Sequence, residues 1–160
     1  MKHINLTKGK VAMIDDAAYD ALCRYSWCYS NTGYAQRGYK VNGKCKTVLM
    51  HRQIINAPVG KEVDHINGNR LDNRLSNLRL ATRSDNSFNQ KKQLRKTTSR
   101  YKGVYWNKGD KAWMARIQAK GNYIYLGNYQ SEQEAALAYN KAAIKYHGDY
   151  ANLNIIEEEK

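Results

Sequence analysis

Acidic residues are scarce in this chain. Its 160 residues carry 14 Asp and Glu against 27 Lys and Arg, a formal net charge of +13. Such an imbalance selects a polyanionic partner, either nucleic acid or an acidic membrane surface. No run approaches the roughly 18 apolar residues needed to cross a bilayer. The strongly amphipathic basic helix that surface binding needs is also missing, which leaves nucleic acid. Cysteine is sparse: Cys23, Cys28 and Cys45, with no CxxC pair. Zinc knuckles are built from such pairs, so no structural zinc is expected. The opening MKHINLTKGK has no apolar run after its first charges, so no signal peptide is expected and reduced thiols in a cytoplasm follow. There is one proline, one phenylalanine, no internal repeat and no low-complexity tract, but there are 13 tyrosines, whose flat faces and hydroxyl tips suit wet binding surfaces.

Residues 63–89, VDHINGNRLDNRLSNLRLATRSDNSFN, crowd Asp64, His65, Asn73, Asn77, Arg83, Asn86 and Asn89 together. Turns alone would not require an Asp-His pair followed by Asn at these offsets. Metal-dependent phosphodiester hydrolysis would: it needs a base for water, oxygen ligands for a hard cation, and donors that hold the base and the phosphate. Residues 63–66 and 78–81 read as strands. A helix capped by Thr82 or Ser84 is expected to run through Asn86 to about Leu94. Two strands and a helix carrying such residues make the ββα-metal unit of nucleases. Asn73 reads as a loop-closing residue.

Before this stretch, residues 1–50 read as short strands and turns without a catalytic signal. Ala18, Leu22 and Tyr25 have helical spacing within 15–25. Asn42-Gly43 between two apolar runs predicts a hairpin, and a short helix is expected over 49–56. After it, residues 91–102 hold six basic and no acidic side chains. Residues 91–99 are the expected linker, with Lys91 and Lys92 lying along phosphates.

Residues 100–154 form a second unit. A strand over 101–106 is followed by two with alternating faces. Trp113, Ala115, Ile117 and Ala119 oppose Met114, Arg116 and Gln118, and Ile124 and Leu126 oppose Tyr123 and Tyr125. Ser131 with Glu134 forms a capping box. Ala135, Ala138, Ala142 and Tyr146 share a helical face, and Gly148 is a stop. One helix on one sheet face leaves Arg116, Gln118, Tyr123 and Tyr125 free to enter a major groove. Residues 155–160 read as an acidic tail.

Residues 51–89 closely resemble HNH endonucleases of phage and bacterial origin. SRYKGVYW, KAWMARIQ, YIYLGNY, EAALAYNKAAIKYHGDY and the closing LN, within 99–154, resemble the AP2 DNA-binding domain of plant transcription factors. The order is that of HNH–AP2 endonucleases of mobile elements and phages. The resemblance implies an α+β chain: residues 1–90 a ββα-metal nuclease module with a β-rich extension, and 100–154 a three-stranded antiparallel sheet on one helix. It implies a homing-type enzyme acting on double-stranded DNA, with no small-molecule substrate, in the cytoplasm of a bacterial or phage-infected cell, as a monomer or a dimer.

By that resemblance His65 is the general base and Asp64 and Asn86 are ligands of one divalent ion, Mg²⁺ or Mn²⁺. Asn77 is the central Asn that holds the loop and orients His65, and Arg83 neutralises charge on the phosphate. His51 supports the site, contacts phosphate or is an ordinary structural histidine. Many family members have His where Asn86 stands, and variants of this kind nick one strand. In the second unit Lys102, Tyr105 and Asn107 join the DNA face. Tyr105, Asn107 and Tyr125 stand where plant domains have Arg or Trp, so the plant target sequence does not transfer. Two rivals follow from the same charge: a DNA-binding regulator with a silent nuclease module, and an RNA-binding accessory protein, which lacks RRM or KH signatures.

Overall fold

In the computed structural model, which describes residues 1–90, 92 and 98–156, the chain is α+β and separates into two units, Met1–Asn86 and Ser87–Lys160. Lys91, residues 93–97 of the expected linker and residues 157–160 of the expected tail lie outside the described residues.

The first unit opens with an antiparallel hairpin of β1 (Lys2–Asn5) and β2 (Val11–Ile14). Helix α1 (Asp16–Leu22) follows and buries Leu22. It stops short of Tyr25, which is exposed. Strands β3 (Cys28–Tyr29), β4 (Ala35–Val41) and β5 (Lys44–Leu49) form a second sheet. The β4–β5 turn is the expected Asn42-Gly43, at φ 49° and 73°. Positive φ at both positions is what a tight hairpin turn of the twisted sheet demands. Helix α2 (Met50–Ile54) buries Met50 and His51. Ile4, Leu6, Ala12, Ile14, Leu22, Trp27, Ala35 and Met50 form the core under these elements.

Strands β6 (Glu62–His65) and β7 (Leu78–Ala81) pair antiparallel, and α3 (Arg83–Phe88) follows. Thr82 caps α3 reciprocally with Asp85. The Thr82 N and Oγ1 donate to Asp85 Oδ2 at 3.0 and 2.6 Å, and the Asp85 N donates to Thr82 Oγ1 at 3.2 Å. The helix ends at Phe88, six residues before the expected Leu94. The carbonyls of Phe88 and Gln90 are taken by the Lys102 ammonium at 2.6 and 2.7 Å, which satisfies the chain end without further helical turns.

In the second unit β8 (Val104–Asn107), β9 (Ala112–Ala119) and β10 (Asn122–Tyr129) form an antiparallel sheet in the order β10-β9-β8. The first strand starts at Val104 rather than Tyr101, because the Lys102 N–H donates to Asn154 Oδ1 at 2.6 Å and not to a neighbouring strand. Helix α4 (Glu132–His147) carries the expected Ser131–Glu134 capping box and ends at Gly148. Its buried stripe is Ala135, Ala136, Tyr139, Ala142, Ala143 and His147. Tyr146, expected on that face, is exposed. Gly103 sits at φ 75°, where a Cβ would come within 2.1 Å of the Tyr139 ring, so the helix aromatic packs directly on backbone. The Asn140 side chain accepts from the Asn154 N at 2.8 Å and donates to its carbonyl at 2.9 Å, while the Asn154 side chain accepts from the Lys102 N and donates to the Lys102 carbonyl, which accounts for the Asn of the closing LN. No helix among the described residues is long and apolar enough to cross a membrane.

Candidate functional site

The β6–β7 ribbon places Asp64 opposite Arg79 and His65 opposite Leu78. Asp64 is buried, and Arg79 donates Nε and Nη2 to its Oδ2 at 2.8 and 2.6 Å. Glu62, two residues before Asp64 and so on the same strand face, accepts Asn86 Nδ2 at 2.6 Å. That bond fixes the Asn86 amide with its oxygen turned away from Glu62. Asp64 on β6 and Asn86 on α3 each carry a hard oxygen donor. Among the described residues no group of three or more His, Cys, Asp or Glu converges that could hold a metal ion. A two-donor set of carboxylate and carbonyl oxygen suits Mg²⁺, which keeps waters and binds substrate phosphate rather than sitting in an all-protein cage. It is a poor set for zinc.

His65 is buried at the end of β6. Burial pushes its pKa below the ordinary 6.5. The Asn73 hydrogen bond and the charges of Asp64 and Asp72 pull the other way, and Arg70 adds to the lowering. The imidazole is thus neutral near pH 7, the form a general base requires. The His65 ring is walled by two others: His51 at 5.1 Å between centroids and nearly perpendicular, and Tyr34 at 5.8 Å. Tyr34 also meets His51 at 4.9 Å, and the Arg70 guanidinium lies over the Tyr34 ring.

Residues 66–77 form a loop stitched by its own amides. Asn77 Oδ1 accepts from the Asn67 N at 3.0 Å, and its Nδ2 donates to the Asp72 carbonyl at 2.8 Å. Asn67 Nδ2 donates to Asp72 Oδ2, and Arg74 pairs with the same carboxylate at 2.6 Å, holding Asp72 below the usual carboxylate range. These bonds of Asn77 hold loop backbone, whereas Asn73 meets the His65 ring, with 3.5 Å between Oδ1 and His65 Nε2. Asn73 is fully buried. It is fixed from residues 1–50, because β2 docks on the loop: the Met13 N donates to the Leu71 carbonyl and the Asn73 N to the Met13 carbonyl, both at 2.8 Å. Arg83 is exposed on the first turn of α3.

On the second unit's sheet, Arg116, Gln118, Tyr123 and Tyr125 are exposed together, with Arg116 opposite Tyr125 and Gln118 opposite Tyr123. The Arg116 guanidinium lies between two rings, 4.4 Å from Tyr123 and 4.9 Å from Tyr105. Three residues expected at the DNA face have partners within the unit. The Lys102 ammonium is turned onto the Phe88 and Gln90 carbonyls, and burial pushes it down to about 8. Lys92 donates to the Tyr101 carbonyl at 2.6 Å. Asn107 shapes the β8–β9 turn, donating to Asp110 at 2.7 Å and accepting from the Gly109 N at 3.0 Å. Lys91 lies outside the described residues.

Arg79, Glu62 and Tyr34 were not singled out from sequence. Period-two alternation marks Glu62 as a face-mate of Asp64, but Arg79 and Tyr34 depend on register and tertiary packing.

A ribbon-and-helix unit with a buried Asp-His pair, and a separate sheet-on-helix unit with an exposed Tyr-Arg face, define a nuclease joined to a nucleic-acid-binding module. Comparison with known proteins agrees. The HNH endonuclease family model matches residues 56–88, and the AP2 domain model matches residues 99–149. The chain is 30% identical over 152 residues to an uncharacterised HNH endonuclease of Acanthamoeba polyphaga mimivirus, spanning 94% of this chain and 78% of that one. It is 34% identical over 94 residues to Protein 3.8 of Escherichia phage T7, covering 59% of this chain and 76% of the phage protein. It is 47% identical over 58 residues to an ethylene-responsive transcription factor of Arabidopsis thaliana, covering 35% of this chain and 14% of that protein. The chain belongs to the HNH endonucleases and carries an AP2 domain; it is a DNA endonuclease with its own DNA-binding module.

Proposed function

We propose that this endonuclease is metal-dependent, nicks one strand per encounter, and is directed to its site by the AP2 sheet, in the manner of homing enzymes. The observation that carries the reading is the buried His65 next to the buried Asp64 on β6, with the Asn86 amide oriented by Glu62. His65 takes the proton from the attacking water. Asp64 and Asn86 would hold one divalent ion, Mg²⁺ by donor chemistry, with Mn²⁺ as a substitute. Bound there, such an ion would supply Lewis-acid polarisation of the scissile phosphate and charge stabilisation at the leaving oxygen. Asn77 keeps the loop in shape, and Arg83, exposed beside Asn86 on α3, neutralises phosphate charge. A single base and a single ion serve one strand, so a double-strand break requires two protomers or two events.

For the DNA-binding unit, a stacked Arg116 between Tyr105 and Tyr123 supports base-edge readout. Its planar fork is held for bidentate contact. Gln118 and Tyr125 flank it, and the net charge of +13 supplies sequence-independent affinity. Incubating the protein with duplex DNA in Mg²⁺ or in EDTA tests the proposal. Cleavage only with Mg²⁺ is expected. Tight binding without cleavage in either condition would favour a DNA-binding regulator with a silent nuclease module.

A further inference from the structure

We propose that Asn73, rather than the central Asn77, is the residue that sets the tautomer of His65, with His51 and Tyr34 clamping the plane of its ring. The proposal rests on the nuclease reading above and adds a positioning residue to it.

A histidine acts as a base through one nitrogen, and the partner of the other nitrogen decides which one. Here the Asn73 amide supplies that partner. Asn73 Nδ2 donates to the Leu71 carbonyl at 3.1 Å, so the NH₂ end of the amide is assigned by its acceptor. The opposite end, Oδ1, is therefore what His65 Nε2 meets. An amide oxygen only accepts, so in the neutral ring this bond requires the hydrogen on Nε2 and the lone pair on Nδ1. At 3.5 Å the contact is long, as catalytic hydrogen bonds often are before substrate binds.

Two further features hold the arrangement. The amide cannot turn over, because Asn73 is fully buried and its backbone N–H is bonded to Met13 of β2 at 2.8 Å. The His65 ring cannot rotate freely either. The His51 ring stands at 84° to it and Tyr34 lies on both. His51 Nδ1 is buried and has no hydrogen-bond partner among the described residues, a cost the fold bears at this point next to the base. A ring whose nitrogen has no partner contributes through its shape, and its shape here is a wall of the His65 slot.

The test is the long-range ¹H–¹⁵N spectrum of the histidine rings in the whole protein at neutral pH, without DNA or metal. The expected result is His65 as the Nε2–H tautomer in the wild type. Asn73→Leu, which removes the acceptor, is expected to lose that uniform state, and Asn73→Asp, which keeps an acceptor oxygen, to retain it. In parallel, Asn73→Leu is expected to lower single-turnover cleavage roughly 10- to 100-fold with DNA affinity unchanged, as for supports of a metal-site ligand, and Asn73→Asp, whose charge favours the imidazolium, to recover rate only as the pH is raised. A wild-type His65 protonated on Nδ1, or a tautomer unchanged in Asn73→Leu, would overturn the proposal. Should Asn73→Leu fail to fold, the wild-type and Asn73→Asp spectra still decide it. The spectrum requires no cleavage, so the nuclease reading and the tautomer assignment can fail separately.

Discussion

Arg79 and Asp64 face each other across the β6–β7 ribbon, joined by bonds of 2.8 and 2.6 Å to a single carboxylate oxygen. The arginine is the resident cation of the proposed metal ligand. Removing it leaves a buried carboxylate without that partner, which costs about 3–5 kcal/mol when a buried pair is broken. Arg79→Ala is therefore expected to lower stability by roughly 3 kcal/mol, since the arginine is partly exposed. Added Mg²⁺ is expected to restore more stability to the variant than to the wild type, because a cation binding only the folded state stabilises it. Urea unfolding with and without Mg²⁺ measures both effects, and equal Mg²⁺ responses would remove Asp64 from the metal site.

Two buried histidines make the first unit sensitive to acid. Burial pushes His51 to about 3, and pushes His65 below 6.5. Below pH 6.5 the unfolded chain takes up protons that the native chain refuses, so stability falls as the pH drops. For His51 the loss runs from about pH 6.5 down to about 3, at a limiting slope of about 1.4 kcal/mol per pH unit. His51→Phe keeps a ring in the slot and discards the unpartnered nitrogen. It is expected to flatten the acid limb of a stability–pH curve while leaving neutral stability equal or higher. An unchanged acid limb would show that His51 titrates in the native state.

Arg116 is held between Tyr105 and Tyr123 on the exposed sheet face. If it reads a base edge, Arg116→Ala weakens binding to the preferred site by about 1–3 kcal/mol and binding to random duplex much less. Sites selected from a randomised duplex pool, assayed by fluorescence anisotropy, provide the measurement. Equal losses on both DNAs would make Arg116 a phosphate contact.

Gly103→Ala is expected to unfold the second unit or destabilise it by on the order of 3 kcal/mol, from left-handed strain plus overpacking. Its Cβ would overlap the Tyr139 ring and approach the Arg116 carbonyl at 2.6 Å. Thermal unfolding followed at the tryptophans, two of which (Trp106 and Trp113) face each other across β8 and β9, reads this directly.

The parts of the fold visible in the sequence are those written in local chemistry. Asn42-Gly43, the Ser131–Glu134 box, the alternation of β9 and the Thr82 cap each need only a few neighbouring residues. The second-unit sheet face was legible for Arg116, Gln118, Tyr123 and Tyr125, because alternation fixes sides. It was not legible for Lys102, Lys92 and Asn107, whose polar ends find carbonyls or a turn within the unit. The motif residues stood out by type, yet their partners did not. Arg79 meets Asp64 through strand register, Asn73 meets His65 through a loop pinned by β2, and Tyr34 and His51 arrive from a region with no catalytic signal of its own. Sequence named the chemistry, and tertiary contacts supply the groups that aim it.

The account stands most directly on His65. Wild type, His65→Ala and Asp64→Ala are incubated with supercoiled plasmid and Mg²⁺, with DNA binding measured in parallel. The account predicts open circles from the wild type alone, with DNA affinity nearly unchanged in both variants. Cleavage that persists in His65→Ala would contradict it and place the base elsewhere.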